Sequence, residues 1–202
     1  MLRAGDGRPS WRALQANAHA LARCTFACQE AGLAPVAEIL VPGAPGREVT
    51  SAALMVTVTE LRDMGVALDG LVLRPDLVLP RTDGPASPDG AGLASPEMVA
   101  RQTVAALRCV VPADVAGVAF RADGQSPARA TANLAALRRL GMPWPVTFCF
   151  GRALAGPALA AWHGDPARVA TGQRALANRV ACNVAALQGT YTPALESSYV
   201  LA

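Results

Sequence analysis

Along the 202-residue chain, long stretches with apolar residues at helical spacing alternate with short β-branched runs, and Gly- and Pro-rich breakers separate the two. Pro9-Ser10 opens a helix whose apolar positions Leu14, Ala18, Leu21, Ala22 and Cys28 keep that spacing, and Gly32 closes it. A strand is predicted over 35–41, ended by the Pro42-Gly43-Ala44-Pro45-Gly46 turn. A second helix follows from about Glu48 to Asp63, then a second strand at Leu71-Val72-Leu73-Arg74 with Leu77-Val78 beyond Pro75. The Pro-, Gly-, Asp- and Ser-rich stretch 80–94 reads as a mobile loop. Ser95-Pro96-Glu97 supplies an N-cap, a proline at the first helical position and a first-turn acid for a helix to about Cys109. Gly117-Val118-Ala119-Phe120 is the third strand, Ser126-Pro127 starts a helix to about Leu140, and 145–150 is the fourth strand. Helical patterns at about 152–162 and 166–187 complete the chain. Strands alternating with helices imply a parallel sheet covered by helices, either an open doubly wound sheet or half of a β/α barrel.

Composition narrows the chemistry. All 18 positive residues are arginine and no lysine occurs, which removes mechanisms that need a lysine amine, such as Schiff bases and P-loop phosphate grips. Roughly a fifth of the residues are alanine, and 52% are hydrophobic against 16% charged, so a real core can form. The net charge of +3 is spread without a basic run, so neither nucleic acid nor an anionic membrane is an expected partner. Five cysteines, an odd number in apolar segments, read as reduced thiols in the cytoplasm, and no signal or membrane-spanning pattern is present in the sequence. Cys24 and Cys28, one helical turn apart, read as small core residues rather than metal ligands, and no metal or cofactor is expected. His19 is read as a helix-surface or packing residue, His163 as part of a turn, and Trp11, Trp144 and Trp162 as packing anchors.

Certain rare words in the chain carry a family resemblance. Residues 16–23 (Ala-Asn-Ala-His-Ala-Leu-Ala-Arg), 28–38 (Cys-Gln-Glu-Ala-Gly-Leu-Ala-Pro-Val-Ala-Glu) and 68–78 (Leu-Asp-Gly-Leu-Val-Leu-Arg-Pro-Asp-Leu-Val) are among them. Pro143-Trp144-Pro145 and Phe148-Cys149-Phe150-Gly151-Arg152-Ala153-Leu154 follow in order. Together they resemble class I fructose-1,6-bisphosphate aldolases over nearly the whole chain. The resemblance implies a single (β/α)8 barrel domain of which residues 1–202 are the second half, strands 5 to 8 with their helices. The segment Leu2–Ser10 is similar to the end of the fourth strand and its turn. Such a half-barrel leaves two strand edges and an inner face uncovered. A partner chain or self-association would cover them, or the chain would rearrange into an open sheet, or it would be unstable.

The same resemblance implies aldol cleavage of fructose 1,6-bisphosphate to glycerone phosphate and glyceraldehyde 3-phosphate through a lysine Schiff base. That lysine falls on Arg74. A guanidinium stays protonated up to roughly pH 12.5–13.8 and delocalises the lone pair a Schiff base needs, so Arg74 cannot replace it. Glu38 matches one acid/base glutamate of the family, the second being Leu40 here, and the plain expectation for Glu38 is an ion pair with Arg74 on the next strand. For phosphate, Gly151 and Arg152 match the family's turn and arginine after the eighth strand. Arg121-Ala122-Asp123-Gly124 stands where the family carries Leu-Ser-Gly-Gly. Ala122 lacks the serine hydroxyl, and Asp123 places a carboxylate by the anion, a repulsion of about 3 kcal/mol at ~5 Å in an effective dielectric near 20. Cys149, at a serine position of the family, is a weaker donor. Arg121 is expected to point at the helices or into solvent rather than inward.

The function so implied is that of a carbon–carbon lyase family whose Schiff-base step this chain is expected not to perform. The alternatives are a non-catalytic sugar-phosphate-binding or scaffold protein, and the product of a decayed or split gene.

Overall fold

A computed structural model describes residues 9–41, 46–80 and 94–197. Six helices and four strands alternate in it: α1 (Trp11–Glu30), β1 (Val36–Ile39), α2 (Arg47–Asp63), β2 (Val72–Pro75), α3 (Pro96–Arg108), β3 (Gly117–Phe120), α4 (Pro127–Arg139), β4 (Val146–Phe148), α5 (Arg152–Trp162) and α6 (Val169–Gln188). The elements fall within a few residues of those the periodicity predicts. The turn at 42–45, the loop at 80–94 apart from its two end residues, and the segment 2–8 lie outside the described residues.

Local chemistry sets the helix starts. Ser10, Ser95 and Ser126 cap α1, α3 and α4, their hydroxyls accepting from the backbone N–H groups of Ala13, Met98 and Arg129 at 3.2, 3.2 and 3.4 Å. Pro96 and Pro127 occupy first-turn positions where a missing N–H costs nothing. Gly189 ends α6 at φ +80°, a left-handed cap that a side chain would strain. Inside α6, Gly172 is required by packing: a Cβ there would come within 2.8 Å of the Trp162 Cβ on α5.

The sheet is parallel in the order β1-β2-β3-β4. Register pairs Glu38 with Arg74, Leu73 with Val118 and Phe120 with Phe148. Paired residues of a parallel sheet share a face, so alternation assigns the whole sheet. Ala37, Ile39, Leu73, Val118 and Phe120 face the helices, where with Leu54, Leu61, Leu107, Leu134 and Leu137 they form the core. Val36, Glu38, Arg74, Ala119 and Thr147 occupy the opposite face, and no helix covers it among the described residues. The second strand is shorter than predicted. It stops at Pro75, beyond which Asp76 makes a single bridge to Arg121 and Val78 N–H donates to Thr103 Oγ1 at 3.0 Å.

Three expectations need correction. Cys24 is exposed and Cys28 only half-buried, so they are not core residues. Of the tryptophans only Trp144 is an interior anchor, its Nε1–H donating to the Pro112 carbonyl at 2.5 Å, while Trp11 and Trp162 are largely exposed. His19 finds an acid that sequence proximity did not reveal, Glu60 on α2, with Nδ1 2.9 Å from Oε2. Among the described residues no helix is long and apolar enough to cross a membrane, and no group of three or more metal-ligating side chains forms.

Candidate functional site

The uncovered sheet face collects charge at the C-terminal ends of its first three strands. Residues 38, 74 and 76 share this face through the register of β1 and β2, and residue 121 joins them through its bridge to 76. Arg121 therefore points toward the open face, contrary to the expectation from its neighbours, because it continues the alternation of β3 one residue past its end and so points the same way as residue 119.

The arrangement is an ion-pair network centred on Arg121, whose side chain is 9% exposed. Its Nη1 donates to Glu38 Oε1 and its Nη2 to Asp123 Oδ2, both in short contacts, while its Nε lies 3.6 Å from Asp76 Oδ1. Arg74 Nη1 stands 3.5 Å from the other Glu38 oxygen. Glu38 thus bridges two guanidiniums, with Arg121 the closer. Three carboxylates face two arginines, leaving one net negative charge when all are ionised.

Burial pushes the Asp76 carboxyl above its ordinary value; the Arg121 guanidinium opposes this, and the carboxylates of Asp123 and Glu38 add to it. Asp76 Oδ1 and Arg74 Nε are buried without a hydrogen bond. Such groups destabilise a site held only by itself.

The residues expected around phosphate separate into two sets. Asp123 is held by Arg121, so its charge is compensated within the network and the repulsion expected from an isolated carboxylate is reduced. Ala122 does not face the open side; it is buried in the core beneath the sheet. On the other side of β3, Cys149 is exposed, its backbone N–H donating to the Phe120 carbonyl at 2.8 Å. Gly151 precedes α5 as its N-cap without a side-chain cap, and Arg152 is exposed at the first helical position. Among the described residues Arg152 has no ion-pair or hydrogen-bond partner. Its guanidinium lies where the helix N-terminus already favours an anion.

Asp76 and Arg121 are the members that reading from the sequence missed. The signal was available in the period of two. Once Arg74 is placed on the open face, residue 76 follows on the same face, and the register then carries residue 121 with it.

A sequence model of the family described as "Glycolytic: Fructose-bisphosphate aldolase class-I" matches residues 1–200. Fructose-bisphosphate aldolase 5, cytosolic, of Arabidopsis thaliana is 38% identical over 95% of this chain and 54% of its own length. The cytoplasmic isozyme of Cicer arietinum is 40% identical over 95% of this chain and 54% of its own. The solved aldolase of Plasmodium falciparum, in complex with TRAP and a small-molecule inhibitor, superposes with a TM-score of 0.83 at 32% identity. That superposition covers 95% of this chain and 55% of the other. The chain spans about half the length of the curated relatives it matches.

Proposed function

Because the chain belongs to the class-I fructose-bisphosphate aldolase family, we propose that it is a single half-barrel unit of that family, residues 1–202, which binds a sugar phosphate without forming the lysine Schiff base. The observation that carries this is the state of position 74. The residue there is an arginine, ion-paired to Glu38 at 3.5 Å inside a network, and no lysine exists elsewhere in the 202 residues to supply an amine. A carbinolamine needs a neutral amine to attack the substrate carbonyl, and a guanidinium offers neither a free lone pair nor an accessible deprotonated form.

Anion recognition is the part of the reaction these residues still support. Arg152 is exposed, without a partner among the described residues, and set at a helix N-terminus, so it offers a charge-assisted contact to a phosphate group. Gly151 leaves room for a close approach. The names of the relatives, which act on fructose bisphosphate and in part are cytosolic, favour a sugar bisphosphate as the ligand and the cytoplasm as the location.

Borohydride reduction in the presence of dihydroxyacetone phosphate, read by intact mass, tests the first half: no covalent adduct is expected, and a stable adduct overturns the proposal. Titration calorimetry with fructose 1,6-bisphosphate tests the second. Saturable heat at millimolar ligand or below is expected, and its absence overturns sugar-phosphate binding.

A further inference from the structure

We propose that Asp123 is a resident anion of the open face: its carboxylate holds the outward side of the Arg121 guanidinium, so a phosphate group gains Arg121 only by displacing Asp123. This rests on the reading of the open face as a sugar-phosphate site and adds what limits affinity there. The contact is internal to the chain, joins residues two apart, and lies wholly within the described segments. Each side of the guanidinium meets one carboxylate: Glu38 at Nη1, Asp123 at Nη2 and Asp76 toward Nε, at 3.6 Å. With Arg74 the set holds two positive charges against three negative ones, so a further anion adds repulsion unless a carboxylate leaves.

The carboxylate free to leave is that of Asp123. Its side chain is 57% exposed, against 37% for Glu38 and 25% for Asp76. Glu38 sits on β1 in register with Arg74, and residue 76 bridges residue 121, so both are tied to the strand ladder. Asp123 stands in the turn between β3 and α4, outside that ladder, and its carboxylate can swing away without unmaking a strand pair. Arg121 stays in place when this happens, because Glu38 still holds Nη1 and its own side chain is 9% exposed.

The displacing ligand is an anion of phosphate type. An ion pair with so exposed a partner is weak, and a phosphate brings more charge and more acceptor oxygens than a carboxylate. β3 and β4 are parallel neighbours, so the turns that follow them leave the same end of the sheet side by side. One turn carries Asp123, the other Gly151 and Arg152. A phosphate on Arg152 is thereby neighbour to the Asp123 carboxylate. Removing that carboxylate lifts a repulsion and also frees Nη2 of Arg121 as a second donor.

Calorimetric titration of the 202-residue chain with inorganic phosphate and with fructose 1,6-bisphosphate, paired with NMR of the arginine Nε–H groups, tests this. Asp123→Asn and Asp123→Ala are each expected to bind both ligands about tenfold more tightly than the parent, since a competing internal ligand is gone. Phosphate is expected to shift the Arg121 Nε–H signal in both variants, and to leave it in place in the parent at concentrations that saturate the variants. Asp114→Asn removes the same charge from an exposed position before β3, at the other end of the sheet, and is expected to change affinity by less than about twofold. Unchanged affinity in both Asp123 variants overturns the proposal. So does a gain without movement of the Arg121 signal, or an equal gain in Asp114→Asn. A parent that binds fructose 1,6-bisphosphate while the Asp123 variants gain nothing leaves the sugar-phosphate reading standing and overturns this one. A parent that binds none, with variants that gain phosphate and shift Arg121, overturns that reading and supports this one.

Discussion

Arg121 and Glu38 are 83 residues apart and lie on elements separated by β2, yet the guanidinium of one donates directly to the carboxylate of the other above the sheet. The reach is possible because an arginine and a glutamate side chain, extended toward each other, together span two strand spacings of about 4.8 Å each. It makes Arg121 the hub of the open face. Replacing it with Leu leaves Glu38, Asp76 and Asp123 facing Arg74 alone. The expected loss is about 3 kcal/mol, measured by urea denaturation at neutral pH, with Arg74→Leu costing less because Arg74 is more exposed and holds only Glu38. Equal losses would contradict the central role of Arg121.

Asp76 sets a pH dependence whose sign follows from its burial. Its folded-state carboxyl lies above the ordinary value, so between the unfolded and folded values the folded chain binds more protons. This group's contribution to stability is therefore fully present below the ordinary carboxylate range and is lost as pH rises through the raised value. Asp76→Asn removes the titration. The variant is expected to melt at a higher temperature than the parent at pH 7 and to converge with it toward pH 3, as scanning calorimetry across that range would show.

Arg152 is exposed and partnerless among the described residues, so its removal separates binding from folding. Arg152→Ala is expected to weaken fructose 1,6-bisphosphate binding by about tenfold, the equivalent of roughly 1.4 kcal/mol, while the denaturation midpoint stays unchanged. Calorimetric titration of parent and variant under the same buffer checks it.

A second buried network ties the end of the chain to the helices. Arg179 on α6, 4% exposed, donates to Glu196 in a short contact, to the Pro127 carbonyl at 3.1 Å and to Thr131 Oγ1 at 2.5 Å. Tyr191 donates to the other Glu196 oxygen at 2.8 Å, and burial together with that bond pushes its hydroxyl well above the ordinary value. Arg179→Met strands the Glu196 carboxylate, with an expected cost of about 3 kcal/mol. The turn at Pro193–Glu196 is then expected to become a site of rapid limited proteolysis, seen as loss of the last residues by mass spectrometry. Glu196→Gln, which keeps the hydrogen-bond geometry, is expected to be milder.

The order of helices and strands was legible in the sequence because each element carries its own signal. Serine caps with proline behind them, apolar residues every three or four positions, and short β-branched runs act over a few residues and do not depend on what packs against them. The identity of Arg74 was equally plain, and with the lack of lysine it decides by elementary amine chemistry what position 74 cannot do. What Arg74 and Glu38 are bound to was not legible. Whether Arg121 turned inward depended on the register between β2 and β3, a relation between residues some 45 positions apart that no local pattern encodes. The same holds for His19 with Glu60 and Arg179 with Glu196, where long side chains meet only after their helices have packed. Local sequence thus determined the elements and the side chains they carry. The tertiary structure alone decided which charges meet, because ion pairs form between whatever side chains the register and the helix packing bring within a few ångströms.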